Sequence, residues 1–156
     1  MNHLIESELP GEGILRDQLL DLITDAHLAY RLPGHNLTLS GLIEEMGLTE
    51  QVYIQSYKTF RTDWSISGST PAQPVSVTSL KAWFEKLDAE FVEALSAFSE
   101  DDLQNREIER GHGFNPSLFV QFQIYHEAML IFYAKASIYL KALEIPLPDD
   151  WRIAIG

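Results

Sequence analysis

Cysteine is absent from the 156-residue chain, and with it go disulfides, thiolate metal sites and a cysteine nucleophile. Basic side chains are scarce. Eleven Lys and Arg stand against twenty-three Asp and Glu, a formal net charge of −12. That balance repels phosphate backbones wherever electrostatic steering operates, so no nucleic-acid partner is expected. The acids, among them Glu44, Glu85, Glu93 and Asp101, are spread along the chain and read as a solvated surface rather than a binding patch. Long apolar runs are missing too. Glu6, Glu8 and Pro10 interrupt the first ten residues, so neither secretion nor a membrane anchor is indicated and the cytoplasm is the expected compartment. Catalytic signatures are also lacking: there is no glycine-rich phosphate loop, no nucleophile elbow and no H-E-x-x-H pair. Glu109 and His112 have E-x-x-H spacing, but they flank the Gly111-His112-Gly113 turn instead of sharing a helix face.

What is present points to helices. With 46% hydrophobic residues the chain suits a single domain over 1–156 with a sizeable core. The stretch from Asn115 to Leu143 is apolar around its whole helical circumference, the mark of a helix buried among others. Asn115 suits an N-cap, Pro116 suits the first turn, and Pro146 and Pro148 end the element near Leu143 or Glu144. Gln121, Gln123, His126, Glu127, Lys135 and Lys141 interrupt it too often for a membrane span.

Upstream, residues 1–11 read as a short lead-in ending at Pro10-Gly11. Leu15, Leu19, Leu22, Ile23, Ala26 and Tyr30 then recur at three and four, predicting a first helix from Glu12 to Tyr30. Leu32-Pro33-Gly34 breaks it, and Asn36 or Thr38 caps a second helix to about residue 63 along Leu39, Leu42, Ile43, Met46, Tyr53, Tyr57 and Phe60. Gly41 and Gly47 either weaken that helix or permit close packing. Residues 65–77 form the longest loop, of a length often functional or mobile. Thr78 or Ser79 caps a third helix through Leu80, Trp83, Phe84, Leu87, Phe91, Leu95 and Phe98, and Ser99 with Asp102 resembles a capping box for one further turn. Residues 104–114 suggest irregular structure or a small hairpin. In the tail, Trp151, Ile153 and Ile155 alternate as in an extended segment laid on the body. Four long helices without alternating strands predict an all-α four-helix bundle, with a long crossover between the second and third.

The second segment, TLSGLIEEMGLTEQVYIQSY, and the fourth, YHEAMLIFYAKASIYLKALEIPLP, resemble the corresponding helices of the DinB/YfiT-like family of four-helix-bundle proteins. The order and length of all four helices agree, so the resemblance covers most of the chain. It implies a divalent-metal site built from three histidines, one midway along helix two and two spaced by four on helix four. Side chains at i and i+4 share a face and converge on one ion. It also implies metal-assisted chemistry on small molecules, including thiol-cofactor-dependent transferase or isomerase reactions. In this chain His126 matches the first helix-four histidine, Leu130 replaces the second, and Glu45 falls at the helix-two position. One imidazole and one carboxylate make a poor site for zinc or nickel, and Gln123 is a weak supplement.

The expectation is therefore a degenerate metal centre, with His126 and Glu45 the ligands of any ion that binds. His126 reads as a relic ligand or as a core histidine bonded to Tyr53, Gln123 or Glu45. The expected pocket lies between helices two and four at Glu45, Thr49, Tyr53, Gln123, His126, Leu130 and Tyr133. The alternative to a metalloenzyme relative is a non-catalytic module that takes a small ligand or a partner chain. Tyr53, Tyr57, Tyr125, Tyr133 and Tyr139 suit a pocket wall, a core rim or an interface. His3, His27, His35 and His112 read as surface groups. Three Trp, six Tyr and eight Phe, with Trp64, Trp83 and Trp151 near element ends, exceed what one small bundle covers. The expectation is a homodimer through an apolar helix face, unless the tail covers that face.

Overall fold

Local hydrogen bonding divides the chain into helices at well-marked points. The computed structural model describes residues 2–156. A π-helical turn (Leu4–Glu8) leads into α1 (Leu9–Glu12), α2 (Ile14–Leu22), α3 (Asp25–Leu28) and α4 (Leu39–Thr59). There follow α5 (Val77–Ser96), α6 (Glu100–Asn105), α7 (Leu118–Ala142) and α8 (Asp149–Ile155). Among the described residues there are only isolated β-bridges, such as Glu107 with Ser117. Thr38 caps α4 by accepting from the Gly41 N–H at 3.0 Å, and Ser99 with Asp102 forms the anticipated capping box of α6.

Several boundaries differ from the sequence reading, each for a local reason. The lead-in is helical, because Pro10 sits in the first turn of α1 where no N–H is required. The first helix is interrupted where Ile23 turns extended, and Thr24 caps again for α3. Phe60 adopts a left-handed conformation, φ 55°, and ends α4 earlier than residue 63. Ser76, in a capping box with Ser79, starts α5 ahead of Thr78. Ser117, not Asn115, caps α7, because Pro116 and Ser117 are held extended against Arg106–Ile108. The tail is helical: α8 has Asp149 and Asp150 in its first turn, where the helix dipole favours anions. Trp151 is fully buried against Tyr133, while Ile153 is 85% exposed.

Contacts between helices give the topology. Gly47 of α4 lies on Trp83 of α5, and ten residues further on Tyr57 lies on Phe91 and Phe98, so these two helices run parallel. α7 runs antiparallel to α4, with Tyr57 bonded to the Leu118 carbonyl and Glu50 to Tyr125. α2 runs antiparallel to α5 through Arg16–Asp88 and Lys81–Asp21. The bundle is up-down-down-up, and residues 60–76 make the crossover. That connection is pinned along α4: Gln51 donates to the Ser69 carbonyl at 2.9 Å, Gln51 Oε1 accepts from the Ser69 N–H at 2.6 Å, and Trp83 Nε1 donates to Ser69 Oγ at 3.0 Å. No helix among the described residues is long and apolar enough to cross a membrane.

Gly47 serves close packing. A Cβ at this position would lie 2.4 Å from the Trp83 ring, and that indole is held by its bond to Ser69. Gly47→Ala gains helix propensity but forces the parallel α4–α5 pair apart, and overpacking of this kind costs about 1–3 kcal/mol. A lowered urea midpoint is expected; an unchanged or raised midpoint would refute the contact.

Candidate functional site

The helical turn of 100° per residue separates side chains that are neighbours in sequence, and α7 shows the effect directly. Tyr125 and Met129 face the core, whereas His126, Leu130 and Tyr133 turn toward the N-terminal segment and α8. Glu45 is exposed on α4 and lines a separate cavity with Leu42, Lys135 and Tyr139. The expected pocket is therefore divided. Tyr53 is buried against Tyr125 and Trp64, and Thr49 is half-buried on α4. Gln123 is exposed in a groove shared with His126, Phe119 and Phe122. His126 is not a core histidine, since its side chain is 49% exposed.

The partner of His126 is Glu12, which the sequence reading did not single out. His126 Nδ1 lies 2.7 Å from Glu12 Oε1, and Tyr133 donates to the Glu12 main-chain carbonyl at 3.0 Å. Glu12, at the end of α1, has a side chain only 9% exposed. Burial raises its carboxyl pKa, and the nearby His126 opposes the rise. Burial likewise raises the Tyr133 phenol. Beside this pair is a cavity of about 290 Å³ between α1–α2, α7 and α8, walled by Leu15, Leu130, Tyr133, Ile153 and Ala154 with Asp150 at one side. Gln18 Nε2 donates to Asp150 Oδ2 at 2.6 Å.

A second cluster lies deeper, where the four bundle helices meet. Arg16, 4% exposed, donates two bonds to Asp88 at 2.9 and 2.7 Å and approaches Glu50 at 3.7 Å. Its guanidinium lies 4.7 Å from the Phe84 ring centre, and Tyr125 donates to Glu50 at 3.2 Å. Burial pushes the Glu50 carboxyl up to about 7, against the pull of Arg16. Burial disfavours the charge on Arg16, but Asp88 and Glu50 outweigh it and hold the group protonated. The signal for this cluster was present in the sequence. Arg16 shares a stripe with Leu19, Leu20 and Ile23, and Glu50 falls one turn after Met46 and one before Tyr53, so each charge sits at a position the helical period reserves for the core.

The pattern of one ligand on the second long helix and two spaced by four on the fourth can now be tested. The core-facing residues of α7 at that spacing are Tyr125 and Met129, and Glu50 of α4 meets Tyr125. A phenol whose pKa burial raises, a thioether and a carboxyl beside a fixed guanidinium do not fit a divalent cation. Among the described residues no three His, Asp or Glu side chains converge as a metal site would need.

The raised Glu50 pKa has a consequence for stability. The folded state holds this proton to a higher pH than the unfolded chain, so the contribution is complete below the ordinary carboxyl pKa and is lost as pH rises through about 7. Relative to Glu50→Gln, the native protein is expected to lose about 3 kcal/mol between pH 4.5 and 8 in urea unfolding. A gap between the two proteins that does not vary with pH would contradict the assignment. Arg16→Ala, which takes the countercharge from the buried Glu50 and leaves the half-exposed Asp88 to solvent, is expected to cost roughly 3 kcal/mol at pH 8.

No family model and no curated protein matches the sequence. Two crystal structures of DinB-like proteins resemble it. YjoA from Bacillus subtilis is 15% identical with a TM-score of 0.72, over 92% of this chain and 95% of that one. A DinB-like protein from Bacillus cereus is 16% identical with a TM-score of 0.73, over 92% and 93%. At this identity the likeness speaks to architecture, and it does so over nearly the whole of each chain: the protein has the fold of the DinB-like proteins.

Proposed function

We propose that this DinB-like protein is a metal-independent binding protein for a small molecule with an apolar body and a protonated amine head. The observation that carries the reading is the 290 Å³ cavity whose apolar wall ends at Glu12, His126 and Asp150. A volume at the lower end of ligand-pocket sizes suits a compact molecule. Two carboxylates with no Lys or Arg in the lining favour a cationic head over an anionic one. The net charge of −12 steers cations in the same direction. Metal independence is supported by the donor set around Glu50, where a guanidinium already supplies the positive charge.

His126 favours a second reading. Its Nδ1 is anchored by Glu12 while half the ring is exposed beside the cavity, the arrangement that orients an imidazole for general-base work. A bound ligand that emerges with altered mass, and no longer does so with His126→Gln, would select this reading over simple binding.

Calorimetric titration with benzylamine, benzyl alcohol and benzoate tests the proposal. Benzylamine is expected to bind best and benzoate least. Leu130→Trp, which fills the cavity, should weaken benzylamine at least tenfold, and Glu12→Gln should remove its advantage over the alcohol. Benzoate binding best, or no binding in any arm, would overturn the reading. After dialysis against zinc or nickel, metal well below one ion per chain is expected. A stoichiometric ion lost on His126→Ala or Glu50→Gln would contradict metal independence.

A further inference from the structure

A second cavity of about 290 Å³ lies apart from His126, where the loop between α3 and α4 meets α4 and α7. Its walls are largely apolar. Leu32 and Leu37 come from the loop, Leu42 from α4 and Tyr139 from α7, and the last two are buried. Glu45 of α4 and Lys135 of α7 join this lining. Both are exposed, and neither takes part in an ion pair among the described residues, with the other or with any third group. The Lys135 ammonium lies 5.2 Å from the ring centre of Phe132 on its own helix rather than reaching across to Glu45. The cavity beside His126 offers carboxylates without Lys or Arg; this one offers one fixed charge of each sign.

Local bonds hold the loop wall in place. Arg31 and Thr38 form an antiparallel bridge, the Leu39 N–H donates to the Tyr30 carbonyl at 2.8 Å, and Gly34 makes the turn between them at φ 84°. Tyr139 donates to the Leu37 carbonyl at 2.6 Å and so ties the loop to α7. The cavity is therefore formed before a ligand enters, which lowers the ordering cost of binding.

Exposed ions gain little by pairing with each other in water, but a ligand that carries both charges gains at both. An α-amino acid bears its ammonium and its carboxylate on one carbon. One molecule can present the carboxylate to Lys135 and the ammonium to Glu45, while its side chain displaces water from Leu37, Leu42 and Tyr139. A plain amine meets Lys135 as a like charge, and a plain acid meets Glu45 in the same way. We infer that this cavity is a binding site for a free α-amino acid with an aliphatic side chain, held at its two charges by Glu45 and Lys135. The inference stands apart from the amine site beside His126, because the two cavities share no lining residue.

Titration of the ¹⁵N-labelled protein by NMR tests it, because amide shifts report where a ligand binds as well as how tightly. Leucine should shift the amides of Leu37, Glu45 and Tyr139. Leucinamide, which lacks the carboxylate, and N-acetylleucine, which lacks the ammonium, should each need at least tenfold higher concentration to shift the same signals. Glu45→Gln and Lys135→Met, both exposed and both checked for folding by circular dichroism, should each weaken leucine at least tenfold at these amides. No shift at saturating leucine, shifts confined to Glu12, Leu15 and Leu130, equal response to leucine and either analogue, or indifference to either substitution would each overturn the assignment.

Discussion

A single guanidinium ties the bundle together. Arg16 projects from α2 into the space enclosed by α4, α5 and α7, and its neighbours come from each of them: Glu50, Asp88 and Tyr125 through Glu50. Burying a cation costs far more than burying a hydrocarbon, and the cost is offset only when hydrogen bonds and countercharge are both supplied. Asp88 provides two aligned bonds and Phe84 an aromatic face. A second full negative charge at Glu50 would leave the group net anionic, and the charge on Asp88 accordingly joins burial in raising the Glu50 pKa. The relative placement of the four helices is thereby constrained by charge as well as by apolar packing, which alone tolerates sliding.

The same arrangement separates two chemistries within a few turns of α7. Toward the core, Tyr125 serves the buried cluster and is inaccessible. Toward α1 and α8, His126 and Tyr133 address a cavity open to solutes. The segment from Leu4 to Glu12 is what makes the second possible, because it brings Glu12 onto the imidazole and its carbonyl onto Tyr133.

Much of the fold was legible. The three-and-four spacing marked all the long helices, Thr38 and Ser99 were readable as caps, and the length of the loop read at 65–77 allowed the crossover that parallel α4 and α5 demand. What escaped depended on distant contacts. Ser117 caps α7 because residues 106–108 hold the preceding backbone extended, and no local preference encodes that. Trp151, Ile153 and Ile155 alternate, but alternation over three apolar residues fits a short helix with one buried face equally well. The site was less legible, since one residue on a helix is a turn of 100°, enough to carry His126 off the core face that its neighbour Tyr125 occupies. Glu45 and Glu50 are five residues apart and face different ways, one exposed and one buried, and Glu12 carried no pattern that paired it with a residue 114 positions away.

The crossover strap divides the chain into two halves, α1–α4 and α5–α8, whose principal helix contacts, α4 with α5 and α7 and α2 with α5, run from one half to the other. Halves that bury their faces mainly against each other do so equally well against an identical half from another chain, and the segment joining them is the natural hinge for that exchange. Gln51 and Trp83, by holding Ser69 to the wall of the bundle, keep that hinge folded back over its own half. The two hydrogen-bonded side chains thereby act as a safeguard against domain exchange, favouring the partner half on the same chain over an identical one supplied by a neighbour.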